Sequence, residues 1–214
     1  MVQHDQDILD ASNGMPLKVK GSLTKREDVR RTSVEVVGYL RVLGSMTTSK
    51  LKVLGDCSIR NQCQATQVEN LGSLRVHCLQ AGRVTSLGYL SVSKKAAAGC
   101  FQAEGAVRIE SLIASESIDI RLSSICRVGT MKAGGNITVR PFSRPFNFFM
   151  RPFLRLRCES VQGVNVTLCQ TEAKLVCGEE IIIGPGCTIQ EVRYSKSLQT
   201  DPGSYVENAV LLEK

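Results

Sequence analysis

The chain has 214 residues, 43% of them hydrophobic, 22% charged and 5% aromatic, with no tryptophan. These proportions fit a folded protein and exclude a disordered one, and no apolar run approaches the ~20 residues that carry a helix across a bilayer. The net charge of +7 is concentrated: eight Lys or Arg and no Asp or Glu lie between Arg121 and Arg157.

The first sixteen residues, opening "MVQHDQDILDASNGM", carry acids where a secretory leader would carry bases. A short polar lead (1–16) on a cytoplasmic protein is expected. From Leu17 a repeat begins. Gly21, Gly38, Gly55, Gly72, Gly88 and Gly105 fall 17 or 16 residues apart and open the phrases "GSLTK", "GYLRV", "GDCSI", "GSLRV", "GYLSV" and "GAVRI". Four residues before each glycine stand Leu17, Val34, Leu51, Val68, Val84 and Phe101; two after it stand Leu23, Leu40, Cys57, Leu74, Leu90 and Val107. Apolar residues alternate within each unit, which predicts extended chain with one face buried and one wet. No unit carries a helical stripe or cap. The repeat is therefore read as a β-solenoid in which each unit makes one coil and successive coils pair as parallel strands ~4.8 Å apart. An odd period would swap faces from coil to coil, so corners must restore parity, and the glycine suits a corner because it tolerates positive φ.

A seventh unit starts at Ile118, with Leu122 in place of the glycine. The repeat returns later with Val164, Ile181 and Leu198, and with Val166, Ile183 and Thr200, each 17 apart. Seven coils and then three predict about ten, a rod roughly 45–50 Å long. The coils occupy 17–139 and 158–214, and 140–157 is an insertion loop between coils rather than a domain.

That insertion, "RPFSRPFNFFMRPFLRLR", holds five of the six phenylalanines and no acid. Pro141, Pro145 and Pro152 forbid one continuous helix. Phe142, Phe146, Phe148, Phe149 and Phe153 cannot all enter a slim core already filled by stacked small residues, and each gains roughly 1.5–3 kcal/mol on burial. They need a surface: the chain's own rod, a protein partner, or an anionic membrane face attracted by Arg140, Arg144, Arg151, Arg155 and Arg157. Without Tyr or Trp in the segment, no nucleic acid is expected.

The nine cysteines form no C-x-x-C pair and read as reduced, buried small hydrophobes. His4 and His77 are too few for a convincing zinc site, so no metal is expected. His77 lies next to an inward Val76 and is read as a surface residue. Scattered acids give no acid–base pair, and there is no G-x-x-x-x-G-K-[ST] loop for a nucleotide. No catalytic residue, cofactor or active site is predicted. The enzyme alternative is a hexapeptide acyltransferase, on the strength of "IIIGPGCTI", but its six-residue period is missing from the first seven units and no histidine follows His77 to serve as a base.

The G-x-[LV]-x-[VI] phrases at 17-residue spacing resemble the bactofilins, bacterial polymer-forming cytoskeletal proteins, over most of 17–214. The stretch 166–206 looks like the end of a longer variant with a late insertion, most specifically from Val176 to Tyr194. The resemblance implies a right-handed parallel β-helix that stacks end to end into filaments without nucleotide. It also implies a scaffold near the cytoplasmic membrane that serves wall synthesis, cell shape or motility. The physics of a solenoid points the same way: terminal coils expose strand edges and core side chains unless capped. The C-terminal "SYVENAVLLEK" is a poor polar cap, and Val206, Val210, Leu211 and Leu212 are read as a polymerisation end, the partner there being a second copy.

Overall fold

The computed structural model describes residues 15–142 and 154–212. Their regular elements are sixteen β-strands, from Leu17–Val19 to Tyr205–Leu211, joined through parallel pairs in one sheet wound as a β-solenoid. Among the described residues there is no helix.

Each coil has three faces. In the first coil these are Leu17–Val19, Ser22–Lys25 and the start of Val29–Val36, which turns a corner into the first face of the second coil. In later coils the faces merge into single bent strands such as Asp56–Asn70. Inward positions stack into columns. One runs Leu17, Val34, Leu51, Val68, Val84, Phe101, Ile118, Ile137, Val166, Ile181 and Leu198. Another begins Leu23, Leu40, Cys57, Leu74, Leu90 and Val107. The buried members of these columns, nearly all Val, Leu, Ile, Ala and Cys, make one axial core. Its narrowness explains the scarcity of aromatic residues: Phe101 is the one phenylalanine in it among the described residues.

The first column has eleven rungs, so the described residues make eleven coils rather than about ten. The added coil is the eighth, whose first face is Ile137–Pro141. It pairs with Ile118–Leu122 on one side and Asn165–Leu168 on the other. A second correction concerns register beyond the insertion. Val166, not Val164, stands under Ile181, and Leu168 under Ile183. That coil is short, and the tight corner is taken by Gln170 with φ 48.

The glycines do mark a corner, but for another reason than positive φ. Of the six, only Gly105 lies in the left-handed region, at φ 142. A Cβ on Gly38, Gly55, Gly72 or Gly88 would instead sit 2.0–2.1 Å from the carbonyl oxygen of the glycine one coil earlier. The corners nest so closely that no side chain fits between them.

The insertion springs from this same corner. The chain leaves the first face of the eighth coil after Pro141 and rejoins the second face at Leu156. Rungs pass on both sides of it: Leu156–Gln162 lies between Cys126–Lys132 and Thr171–Cys177. The rod is continuous past the insertion.

Candidate functional site

Three parts of this rod could meet a partner: its ends, the root of the insertion, and its outer columns. At the C-terminal end the inward columns finish on Leu198, Thr200, Val206, Ala209 and Leu211, with no further coil above them among the described residues. Leu211 and Leu212 are 56% and 44% exposed, while Val206 packs partly against the core. Val210 pairs with Arg193 and so continues an outer column, whereas its neighbour Ala209 pairs with the buried Val192. Among the described residues, strand Tyr205–Leu211 pairs only with Thr188–Thr200. At the N-terminal end the columns begin on Leu17, Leu23 and Val29, but also on Lys25 and Arg31. The inward columns thus end without a charged residue at the C-terminal end and on two basic residues at the N-terminal one.

Of the ten residues singled out for docking, the structure describes Arg140, Phe142, Arg155 and Arg157. Arg144, Phe146, Phe148, Phe149, Arg151 and Phe153 lie outside the described residues. The Phe142 amide donates to the Leu122 carbonyl at 3.0 Å, pinning the outgoing chain to the coil below. Arg140 pairs with Asp119 at 3.2 Å, and Arg155 and Arg157 share Glu172 at 3.7 and 3.2 Å. The acid-free stretch of sequence thus finds acids across the rungs, and the root of the insertion is less basic than its composition suggests.

Arg157 also belongs to an outer column that sequence spacing hides. Ser91, Arg108, Arg127, Arg157, Glu172 and Thr188 stack on successive rungs of the second face. They line an open groove of about 700 Å³, with Ser93, Glu110, Gly129, Glu159 and Lys174 beside them. Arg108 and Arg127 are separated by 19 residues and Arg127 and Arg157 by 30, so only the register reveals three guanidinium groups at adjacent levels. Lys174 answers Glu159 at 3.0 Å, which leaves the groove mixed in charge.

At the glycine corner the residue just before each glycine faces water. Val37, Leu54, Leu71 and Leu87 are 45%, 41%, 48% and 53% exposed and form a straight apolar ridge over four rungs. Column counting passes over them because they stand at outward parity. The signal was an apolar residue repeated before glycine, where neighbouring outward columns carry charge or hydroxyls.

The cysteines are all free thiols. Burial raises the pKa of Cys57, Cys63, Cys126, Cys158 and Cys187; Cys63 and Cys158 are pushed up to about 12 and Cys187 to about 11. Cys100 donates to Glu116 at 2.9 Å. His77 is half-buried on the outer surface with Nδ1 3.0 Å from Ser93 Oγ. Among the described residues no three His, Cys, Asp or Glu side chains gather as a metal site, and no helix is long and apolar enough to cross a membrane.

Comparison with known proteins gives two relatives. The uncharacterized protein YhbF of Bacillus subtilis is 38% identical over 79 residues, which is 37% of this chain and 32% of YhbF. The uncharacterized protein YhbE of the same organism is 40% identical over 57 residues, 27% of this chain and 24% of YhbE. The matched stretches thus span about a third of one relative and a quarter of the other. No family model matches the chain, and no solved structure matches it.

Proposed function

We propose that this chain is a non-enzymatic scaffold of bactofilin type, whose rods join end to end into filaments without nucleotide at the inner face of the cytoplasmic membrane. The carrying observation is the contrast between the rod's flanks and its C-terminal end. Along the flanks every inward column is closed by the coils above and below. At the last coil Leu198, Val206, Ala209 and Leu211 have no described coil beyond them, and among the described residues strand Tyr205–Leu211 is paired along one edge alone. A second copy closes both at once, by the same parallel pairing that joins coil to coil.

Membrane contact and recruitment of wall-synthesis or motility proteins belong to the insertion in this reading. Its phenylalanines supply apolar contact and its arginines attraction to an anionic surface. A filament would display one insertion per rod, so weak single contacts would add into firm attachment.

Electron microscopy and sedimentation of the purified full chain test the assembly. Filaments are expected without nucleotide, and Leu211→Lys should shorten them or leave single rods. A protein that stays monomeric at every concentration refutes the scaffold reading. Deleting 143–153 should spare the filaments and abolish co-sedimentation with anionic liposomes; binding that survives places the anchor elsewhere.

A further inference from the structure

The ridge at the glycine corner is bounded by charge at both ends. Lys20 stands one rung before Val37 and Glu104 one rung after Leu87, with Arg121 on the rung beyond Glu104. Read along the axis, the column is Lys20, Val37, Leu54, Leu71, Leu87, Glu104. Neither Lys20 nor Glu104 makes an ion pair within the described rod. The rungs are ~4.8 Å apart, so six of them span about 24 Å in a straight line. The backbone beneath is held at each level: the Leu54 and Gly55 amides both donate to the Val36 carbonyl, at 2.8 and 3.0 Å, and Leu71 and Gly72 repeat this on Val53 at 2.8 and 3.1 Å. The glycine after each ridge residue leaves one flank bare, so another surface can approach closely. Four aliphatic side chains about half exposed on a rigid edge form a patch that outward columns of a lone rod ordinarily avoid.

We propose that this ridge is a side-to-side contact between two copies of the rod, running antiparallel. The column is self-complementary when reversed. About a two-fold axis between the Leu54 and Leu71 rungs, Lys20 meets the partner's Glu104, Val37 meets Leu87, and Leu54 meets Leu71. On the adjoining outer column the same axis sets Lys52 opposite Glu69, which stand on successive rungs. Parallel pairing in register would set Lys20 against Lys20 and Glu104 against Glu104, so charge selects the antiparallel mode. A four-residue ridge is well short of the ~800 Å² per partner typical of stable complexes. Two free rods therefore associate weakly, and pairing becomes firm where rods are already joined in filaments and contacts repeat. In that respect the proposal rests on the scaffold reading, and in the pairing of free rods it does not.

The test uses charge reversal in the full chain. Lys20→Glu alone, or Glu104→Lys alone, sets like charges at both ends of the antiparallel contact. Each should weaken pairing about tenfold at low salt, and the double reversal should restore it. Parallel pairing predicts no loss from either single reversal. Single rods, obtained with Leu211→Lys, are followed by analytical ultracentrifugation, and wild-type filaments by their width in electron micrographs. Leu54→Gln with Leu71→Gln should leave filaments single in width and the circular dichroism unchanged. Filaments that form but never pair overturn this proposal and leave the scaffold reading standing. Rods that pair but do not elongate do the reverse. Single reversals without effect, or a ridge already shielded by the chain's own insertion in monomeric rods, also overturn it.

Discussion

Replacing Gly72 with alanine, beside Gly21 with alanine, tests the nested-corner account directly. The two glycines occupy the same place in the repeat and neither has a left-handed φ. They differ in what lies beneath. A Cβ on Gly72 would sit 2.1 Å from the Gly55 carbonyl oxygen and 2.5 Å from that of Leu54, whereas one on Gly21 meets nothing within 4 Å. Ordinary contact begins near 3.4 Å. Relief at Gly72 therefore needs the fourth corner to lift by about an ångström, while the Gly55 carbonyl holds the Ser73 amide at 2.8 Å. Overpacking costs about 1–3 kcal/mol and a loosened backbone hydrogen bond about 0.5–1.5 kcal/mol. Against them stands a gain of about 0.4–1 kcal/mol from the stiffer unfolded chain. Gly72→Ala should destabilise by about 1–4 kcal/mol, and Gly21→Ala should be neutral or stabilising by up to ~1 kcal/mol. Thermal and urea unfolding followed by circular dichroism measure both, in the Leu211→Lys background so that assembly does not intervene. Equal shifts for the two variants would refute the account and return the glycines to a purely conformational role.

The buried thiols make stability sensitive to alkali. Each has its folded pKa raised, so its contribution is intact below the ordinary thiol range near 9 and is lost as pH climbs through the folded values of about 11 for Cys187 and about 12 for Cys63 and Cys158. Urea midpoints should be flat from pH 7 to about 8.5 and fall above it, and a midpoint that rises between pH 9 and 11 contradicts the burial. Inside the core, Asn70 donates to Ser86 Oγ and to the Tyr89 carbonyl, both at 2.9 Å. Ser86→Ala should cost about 1–2 kcal/mol by leaving that amide half satisfied. The double change with Asn70→Val should cost less than the two single changes together, and strict additivity would show that the pair is not coupled.

The fold was legible wherever coil length held constant. From Leu17 to Ile109 the columns counted at 17 residues, with one step of 16 between Val68 and Val84, are the columns that pair. Counting failed where corners changed length. Between Ile118 and Ile137 the corner Ser123–Ser124–Ile125 adds two residues, and between Val166 and Ile181 the corner at Gln170 drops one and the next corner, before Val176, drops another. An inward column tolerates neither error, because the side chain must still point at the axis, but the corner absorbs the difference and leaves no periodic trace. The outer surface was less legible for a related reason. Partners such as Arg140 and Asp119, or Arg157 and Glu172, are a coil apart in the chain, so charge patterning along the sequence does not show which charges are answered. The ridge was written in plain sight, before each glycine, but its meaning depends on knowing that those positions face out.

Corner slack has a consequence for what the rod can carry. Rung height is set by the sheet and is indifferent to how many residues bridge two faces, so peptide can be let in at the Ser123–Ser124 bend as nature has let it in after Pro141. Cargo placed there would emerge at a fixed bearing, one coil from the existing loop, without altering the pitch of the winding. The molecule is thus a ruled shaft on which side arms can be mounted at chosen heights.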